Sequence, residues 1–316
     1  MYTAALDALQ FELDPRAQLG LAAALFTIML SVALGLRVQD FKRVASRPLV
    51  YGAGVASQVI GLPLLTVALL FLLDPPASVA LGMIVVAACP GGNVSNLMTH
   101  AARGDAALSV SLTATSSAFA AMFTPTSILL WSRTYPPTAD LLRSIDFDPV
   151  AFLAQTTALL ALPLAIGMTL ATKKPTVAGQ LRPIAGWAGA LALLAIVVIG
   201  VIQFAPQLIS TPGAMAAISG PVLIHNAAAF TLGYGVARLI RADKSVRRTF
   251  TFEIGLQNSG LALVILVAQL NGLGGAAAVA AAWGVWHLIS GGVMIVAFRL
   301  SDKRKRPQRV TMLGKD

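Results

Sequence analysis

Charge is what this sequence has little of. Only 11% of its 316 residues are Asp, Glu, Lys or Arg, against roughly a quarter in an ordinary soluble domain. Apolar residues make up 57% and the mean hydropathy is +0.78. A soluble fold is excluded, and an all-α polytopic membrane protein is indicated. Cysteine is nearly absent too: Cys89 stands alone, so no intramolecular disulfide can form, and a small buried hydrophobe is its expected role. H-E-x-x-H, G-x-S-x-G and phosphate-binding G-x-x-x-x-G-K patterns are missing, and three scattered histidines with one cysteine make a poor catalytic set. Those absences argue against an intramembrane enzyme.

What is present are apolar runs. Stretches of about 20 residues suffice to cross about 30 Å of hydrocarbon, and nine such spans are expected near 17–36, 49–73, 78–102, 105–133, 149–171, 183–203, 214–240, 246–270 and 275–299. Residues 1–16 read as a polar arm with acidic residues and no basic region of a cleaved signal. If alternate connections share a side, 20 of the 23 lysines and arginines fall on one side, and only Arg16, Arg133 and Arg143 fall on the other. The positive-inside rule then predicts an N-terminus outside and a C-terminus in the cytoplasm, in an inner (cytoplasmic) membrane. The net charge of +10 is thus a matter of topology, which removes the case for nucleic acid. The basic tail 300–316 has the bilayer surface as its natural partner, and no protein partner is implied.

Two spans are interrupted. The third contains Pro90-Gly91-Gly92, where proline removes a backbone hydrogen bond and glycine lowers helix stability. In the eighth, Gly255 and Gly260 bracket a polar cluster. Each is followed by a short turn and a long span rich in small residues. Matched broken helices in two halves point to a secondary transporter built as an inverted repeat, with its site at mid-membrane.

The polar residues agree. Of thirteen acids, Glu253 alone lies well inside a span. A carboxylate at that depth is expensive and is a functional candidate by default. No lysine or arginine lies deep enough in a span to balance it, so a proton or a bound cation must. Oxygen ligands for a hard cation are at hand. Gln257 follows Glu253 by four residues on one helix face, Ser95 and Asn96 follow the first break, Ser109 and Thr113 stand i, i+4 apart, and Gln58 is a lone amide in its span. Each hydroxyl alone is more often bonded to its own helix; the combination with two breaks favours function. His100 is expected at an interface. His225 and His287 fit proton relay, substrate contact or a plain interhelical hydrogen bond.

CPGGNVSN at 89–96, RGDAALSVSLT at 103–113, LIHN at 223–226, FEIGLQNSGLA at 252–262 and VWHLISG at 285–291 resemble the bile acid/sodium symporter family over nearly the whole chain. The resemblance implies a core domain (49–133 plus 214–299) in which the broken helices cross, beside a panel domain (17–36 plus 149–203), moving relative to each other for alternating access. It implies two Na⁺ ions. One would be held by Ser95, Asn96, Ser109, Thr113 and Glu253. The other would be held by Gln58, Glu253, Gln257 and the carbonyls of Ile254 and Leu256. An organic anion would bind near Asn93 and Asn258, with His287 and Leu288 on the wall. Leu288 stands where the family pattern has an amide, and some relatives carry an extra first helix. The implied activity is Na⁺-coupled symport of a bile-acid-like steroid or a small carboxylate such as pantoate or a 2-oxo acid. Proton coupling through Glu253 alone is the alternative.

Overall fold

The computed structural model describes residues 6–7, 15–36, 47–145, 147–210, 213–270 and 273–304. Most of the expected N-terminal arm, the basic connection 37–46 and tail residues 305–316 lie outside the described residues. Within them the chain is all-helical: α1 (Pro15–Ala33), α2 (Pro48–Leu73), α3 (Ala77–Ala88), α4 (Asn93–Ala101), α5 (Ala106–Thr134), α6 (Pro136–Ser144), α7 (Pro149–Lys173), α8 (Pro175–Ser210), α9 (Ala214–Leu239), α10 (Lys244–Gly255), α11 (Ser259–Gln269) and α12 (Gly274–Arg304). Five of these, α2, α5, α7, α9 and α12, are long and apolar enough to cross a membrane.

The helix boundaries follow local chemistry. Pro48, Pro136 and Pro149 open helices at the first position, where the missing N–H costs nothing. Asp105, Asp148 and Asp243 cap α5, α7 and α10 by accepting from backbone N–H groups of the first turn. Two tight turns share one design. After α4, Arg103 takes a left-handed φ of 59° and Asp105 caps the next helix; after α9, Arg241 at 55° and Asp243 do the same. Gly104 N–H to Thr99 O and Ala242 N–H to Ala237 O close both as Schellman motifs. Arg47 faces both capping aspartates, at 4.0 Å and 3.6 Å.

Helix α1 packs on α7 and α8, while α9 packs on α10 and α12, and α3 on α11 and α12. The central core runs through Leu81, Ile84, Leu261, Ile265 and Trp283, all shielded. Large apolar side chains such as Leu72, Leu130 and Trp187 are exposed instead, as suits a protein whose outer solvent is lipid.

Several features differ from the sequence expectation. Between the fourth and fifth spans lies an additional amphipathic helix, α6, started by Pro136-Pro137. Helix α8 begins at Pro175 rather than near 183, which puts Arg182 inside a helix, its carbonyl accepting from Ser31 Oγ at 3.0 Å. Leu6, expected in a polar arm, is buried, and Asp7 accepts from the Ser78 N–H at 2.8 Å in the first turn of α3. Within α2, residues Ser57–Gly61 form a π-turn.

Candidate functional site

Both expected breaks exist, and they touch. The first is the extended segment from Cys89 to Gly92 between α3 and α4; the second runs from Leu256 to Asn258 between α10 and α11. Gly91 and Gln257 form an antiparallel bridge, and Asn258 N–H donates to Pro90 O at 3.0 Å. This arrangement satisfies part of the backbone that each interruption frees, as burial at membrane depth requires. Glycine at 91 has a steric reason: a Cβ there would stand 3.2 Å from Glu253 Oε2.

Glu253 is buried at the crossover, 3% exposed. Ser95 Oγ and Ser109 Oγ donate to its Oε1 at 2.6 Å and 2.5 Å, and Thr113 Oγ1 donates to Oε2 at 2.8 Å. Asn96 Oδ1 completes the group, 2.8 Å from Ser109 Oγ and 3.3 Å from Thr113 Oγ1. Three hydroxyls from α4 and α5 thus converge on the α10 carboxylate, with Asn96 Oδ1 behind two of them. No lysine, arginine or histidine donates to it among the described residues. Arg248, at the start of the eighth span, is buried as well, but its partners are Asp302, Ala102 O and Phe298 O.

On the other side of Glu253 the groups are amides. Gln58 Nε2 donates to Gln257 Oε1 at 2.6 Å and to Cys89 O at 3.0 Å, and Gln257 Nε2 donates to Ile254 O at 2.7 Å. Gln58 sits in the π-turn of α2, whose wider winding points it at the crossover. The expected second set is divided between two cavities: Gln58, Glu253 and Ile254 line one, and Leu256 and Gln257 line another.

That second cavity, about 270 Å³, lies between the crossover and α1 with α8. Asn93, Asn258, His287 and Leu288 all line it, as do Ser31 of α1 and Gly186 of α8. Two helix N-termini, those of α4 and α11, open into it through Gly92, Asn93, Asn258 and Ser259. Backbone N–H groups at such ends favour an anion. Asn258 Oδ1 accepts from Leu261 N–H at 3.0 Å, so its amide NH₂ remains the group to offer. His287 Nδ1–H donates to Trp283 O at 2.6 Å, which leaves Nε2 uncommitted.

Of the other histidines, His100 is exposed in the last turn of α4. His225 is interhelical. The Thr66 hydroxyl donates to Leu62 O at 2.8 Å, so the 2.7 Å contact with His225 Nε2 makes that nitrogen the donor, and the ring stands edge-on to Trp283.

Three polar residues escaped the sequence reading. Thr99 Oγ1 lies 3.4 Å from Ser109 Oγ. Asn226 Nδ2 donates to Gly255 O at 2.8 Å, and its Oδ1 accepts from Ser290 Oγ at 2.6 Å, tying the end of α10 to α9 and α12. A lone amide in an apolar span was the signal that singled out Gln58, and Asn226 carries the same one.

The sodium bile acid symporter family matches residues 22–211, more than half of the chain. The chain is 30% identical over 285 residues to an uncharacterized sodium-dependent transporter, YocS, of Bacillus subtilis (strain 168), covering 88% of this chain and 83% of that one. It is 32% identical over 281 residues to the probable sodium/metabolite cotransporter BASS1, chloroplastic, of Arabidopsis thaliana, covering 88% and 66%. It is 29% identical over 249 residues to the human sodium/bile acid cotransporter 4, covering 77% and 54%. The chain therefore spans most of the bacterial relative but less than two thirds of the plant and mammalian ones. These relatives are transporters rather than enzymes, and the chain belongs to the sodium bile acid symporter family of sodium-dependent membrane transporters.

Proposed function

We propose that the protein is a symporter that couples the movement of two Na⁺ ions to the entry of an organic anion. One observation carries the reading: a buried carboxylate whose donors are all neutral, so that its charge is left for a diffusible cation to complete. Hydroxyls are suited to this, since a rotor that donates to Glu253 in the absence of the ion can turn a lone pair to it when the ion arrives. Ser95, Asn96, Ser109, Thr113 and Glu253 hold the first ion. Gln58, Gln257, Glu253 and the carbonyls of Ile254 and Leu256 hold the second. Glu253 is shared, which links the two occupancies.

The anion binds in the cavity of Asn93, Asn258, His287 and Leu288, against the two helix N-termini. Leu288 makes one wall less polar. The substrate class is a carboxylate, either small, such as pantoate or a 2-oxo acid, or a bile-acid-like steroid. Nine spans, N-terminus outside and C-terminus cytoplasmic in an inner membrane, agree with the charge distribution. Movement of α1, α7 and α8, the panel, against the remaining helices opens the cavity to each side in turn.

Thermal unfolding of the purified protein across a Na⁺ titration, with K⁺ at equal ionic strength, tests the reading. A ligand bound only by the folded state stabilises it by about 2.7 kcal/mol at a hundredfold excess over its dissociation constant. Stabilisation by Na⁺, none by K⁺, and loss of the effect in Glu253→Gln are expected. Equal action of the two ions, with stability following pH, would make the protein a proton-coupled carrier and leave the hydroxyl cluster without a task. Uptake of candidate carboxylates into proteoliposomes under a Na⁺ gradient then identifies the substrate.

A further inference from the structure

Away from the crossover there is a larger cavity that ion and anion coupling does not use. It is a groove of about 670 Å³ between α9, α10 and α12, at the end of the bundle where α10 begins. Lys244, Arg247 and Arg248 line it, and no acidic residue does. The acid in contact with this set is Asp302, which pairs with Lys244 and with Arg248 and also faces Arg103 at 3.6 Å. One carboxylate therefore faces three cations, and Arg247 adds a fourth to the groove. Arg247 donates through Nε to Ala242 O at 2.9 Å, and its two terminal nitrogens have no acceptor among the described residues. Arg248 Nε is likewise buried without a partner.

Next to the charges the wall turns apolar. Phe230 lines it, and Tyr234 lies parallel to Phe298 with ring centroids 6.4 Å apart. Excess positive charge at the end of the helices, continuous with an apolar channel along them, is complementary to an amphiphile with an anionic head. Clustered basic residues between spans near the membrane surface are a known chemistry for anionic lipids, and a guanidinium matches a phosphate in geometry as well as charge.

We propose that this groove binds an anionic phospholipid, its phosphodiester on Lys244 and Arg247 and an acyl chain along Phe230 and Phe298. A soluble phosphate would find the charges but not the channel. Arg248 is held to Asp302 and to Ala102 O, at the end of α4. A lipid seated here therefore touches the cluster where α4 ends and α10 begins. The inference does not depend on sodium coupling.

Binding is measured on the full chain in uncharged detergent without Na⁺, by thermal unfolding against phosphatidylglycerol, phosphatidylcholine of the same acyl chains, and glycerol phosphate. Phosphatidylglycerol is expected to raise the transition temperature, and the other two are not. At about 1 kcal/mol per basic residue near a lipid surface, Lys244→Gln combined with Arg247→Gln should raise the dissociation constant roughly 30-fold, whereas Lys173→Gln with Lys174→Gln should not change it. Should the first double variant unfold on purification, Arg247→Lys alone is expected to weaken binding, since it keeps the charge and loses the fork. Equal effects of the two lipids, equal loss in both double variants, or an equal effect of glycerol phosphate would each overturn the proposal. The second of these would mean diffuse attraction, and the third a site for soluble phosphate.

Discussion

Glu253 and Asp302 are both surrounded by hydrogen-bond donors, but of opposite kinds. Glu253 is buried, and its donors are the neutral hydroxyls of Ser95, Ser109 and Thr113. Asp302 is half-buried, and its neighbours are Arg248, Lys244 and Arg103. A carboxylate taken from water needs compensating charge and hydrogen bonds. At Asp302 the chain supplies both, and a structural junction results. At Glu253 it supplies only the hydrogen bonds, from neutral hydroxyls, as the proposed sodium sites require. The contrast separates a carboxylate that holds the fold from the one proposed to serve transport.

Five substitutions would break or sharpen that contrast. The largest effect is expected from Glu253→Gln, which removes the charge and keeps the shape. Sodium affinity should fall at least about a hundredfold, equivalent to about 2.7 kcal/mol, as read by the Na⁺ dependence of thermal unfolding. Stability in K⁺ should fall little or rise. Arg248→Gln should do the reverse. With Ala102 O and Phe298 O deprived of a buried donor, the cost is about 2 kcal/mol in K⁺, while the sodium response keeps its midpoint. A sodium response that moved with Arg248 would mean that the two carboxylates are coupled.

Smaller effects come from single oxygen ligands. Thr113→Val keeps volume and deletes one hydroxyl, and a drop in Na⁺ affinity of about tenfold, or about 1.4 kcal/mol, is expected in the same titration. Ser111→Ala, on the opposite face of α5 from Ser109 and Thr113 and bonded to Ala107 O, should leave affinity unchanged. The smallest effect concerns the capping acid of α10. Asp243→Ala should cost about 1 kcal/mol. The hydrogen bond from Ser245 and the Val246 N–H hold the Asp243 carboxyl below its ordinary value. A lowered folded value means that its stabilisation is present above the unfolded value of about 3.9 and is lost as pH falls through the folded one. The difference between variant and parent should therefore vanish in strong acid and plateau above about pH 5.

Much of this was visible in the sequence because the signals are local. Pro90-Gly91-Gly92 breaks a helix wherever it sits, and Glu253 stands out because it is the one acid well inside a span. Asp105, Asp148 and Asp243 mark helix starts by the same short-range chemistry. What was not legible needs distance in three dimensions. Arg248 sits at a span end in the sequence, and only the return of α12 shows that Asp302, 54 positions on, meets it. Arg182 looked like part of a connection because polar residues precede it, yet Pro175 starts the helix early. Asn226 carries a local signal as a lone amide, but its partners, Gly255 O and Ser290, come from two other helices.

The π-turn at Ser57–Gly61 has a genetic consequence. Such a turn holds one residue more than the α-helix around it, and each residue of an α-helix turns the chain by about 100°. Deleting Val59 or Ile60 would let α2 close into a regular helix of nearly the same length and apolar character, still able to cross a bilayer. Everything N-terminal to the deletion would then be rotated, and Gln58 would swing away from Gln257 and Cys89 O. A one-codon loss at this place would thus produce a chain that inserts and folds yet has lost one amide from the proposed sodium site, a lesion invisible to hydropathy and to span counting.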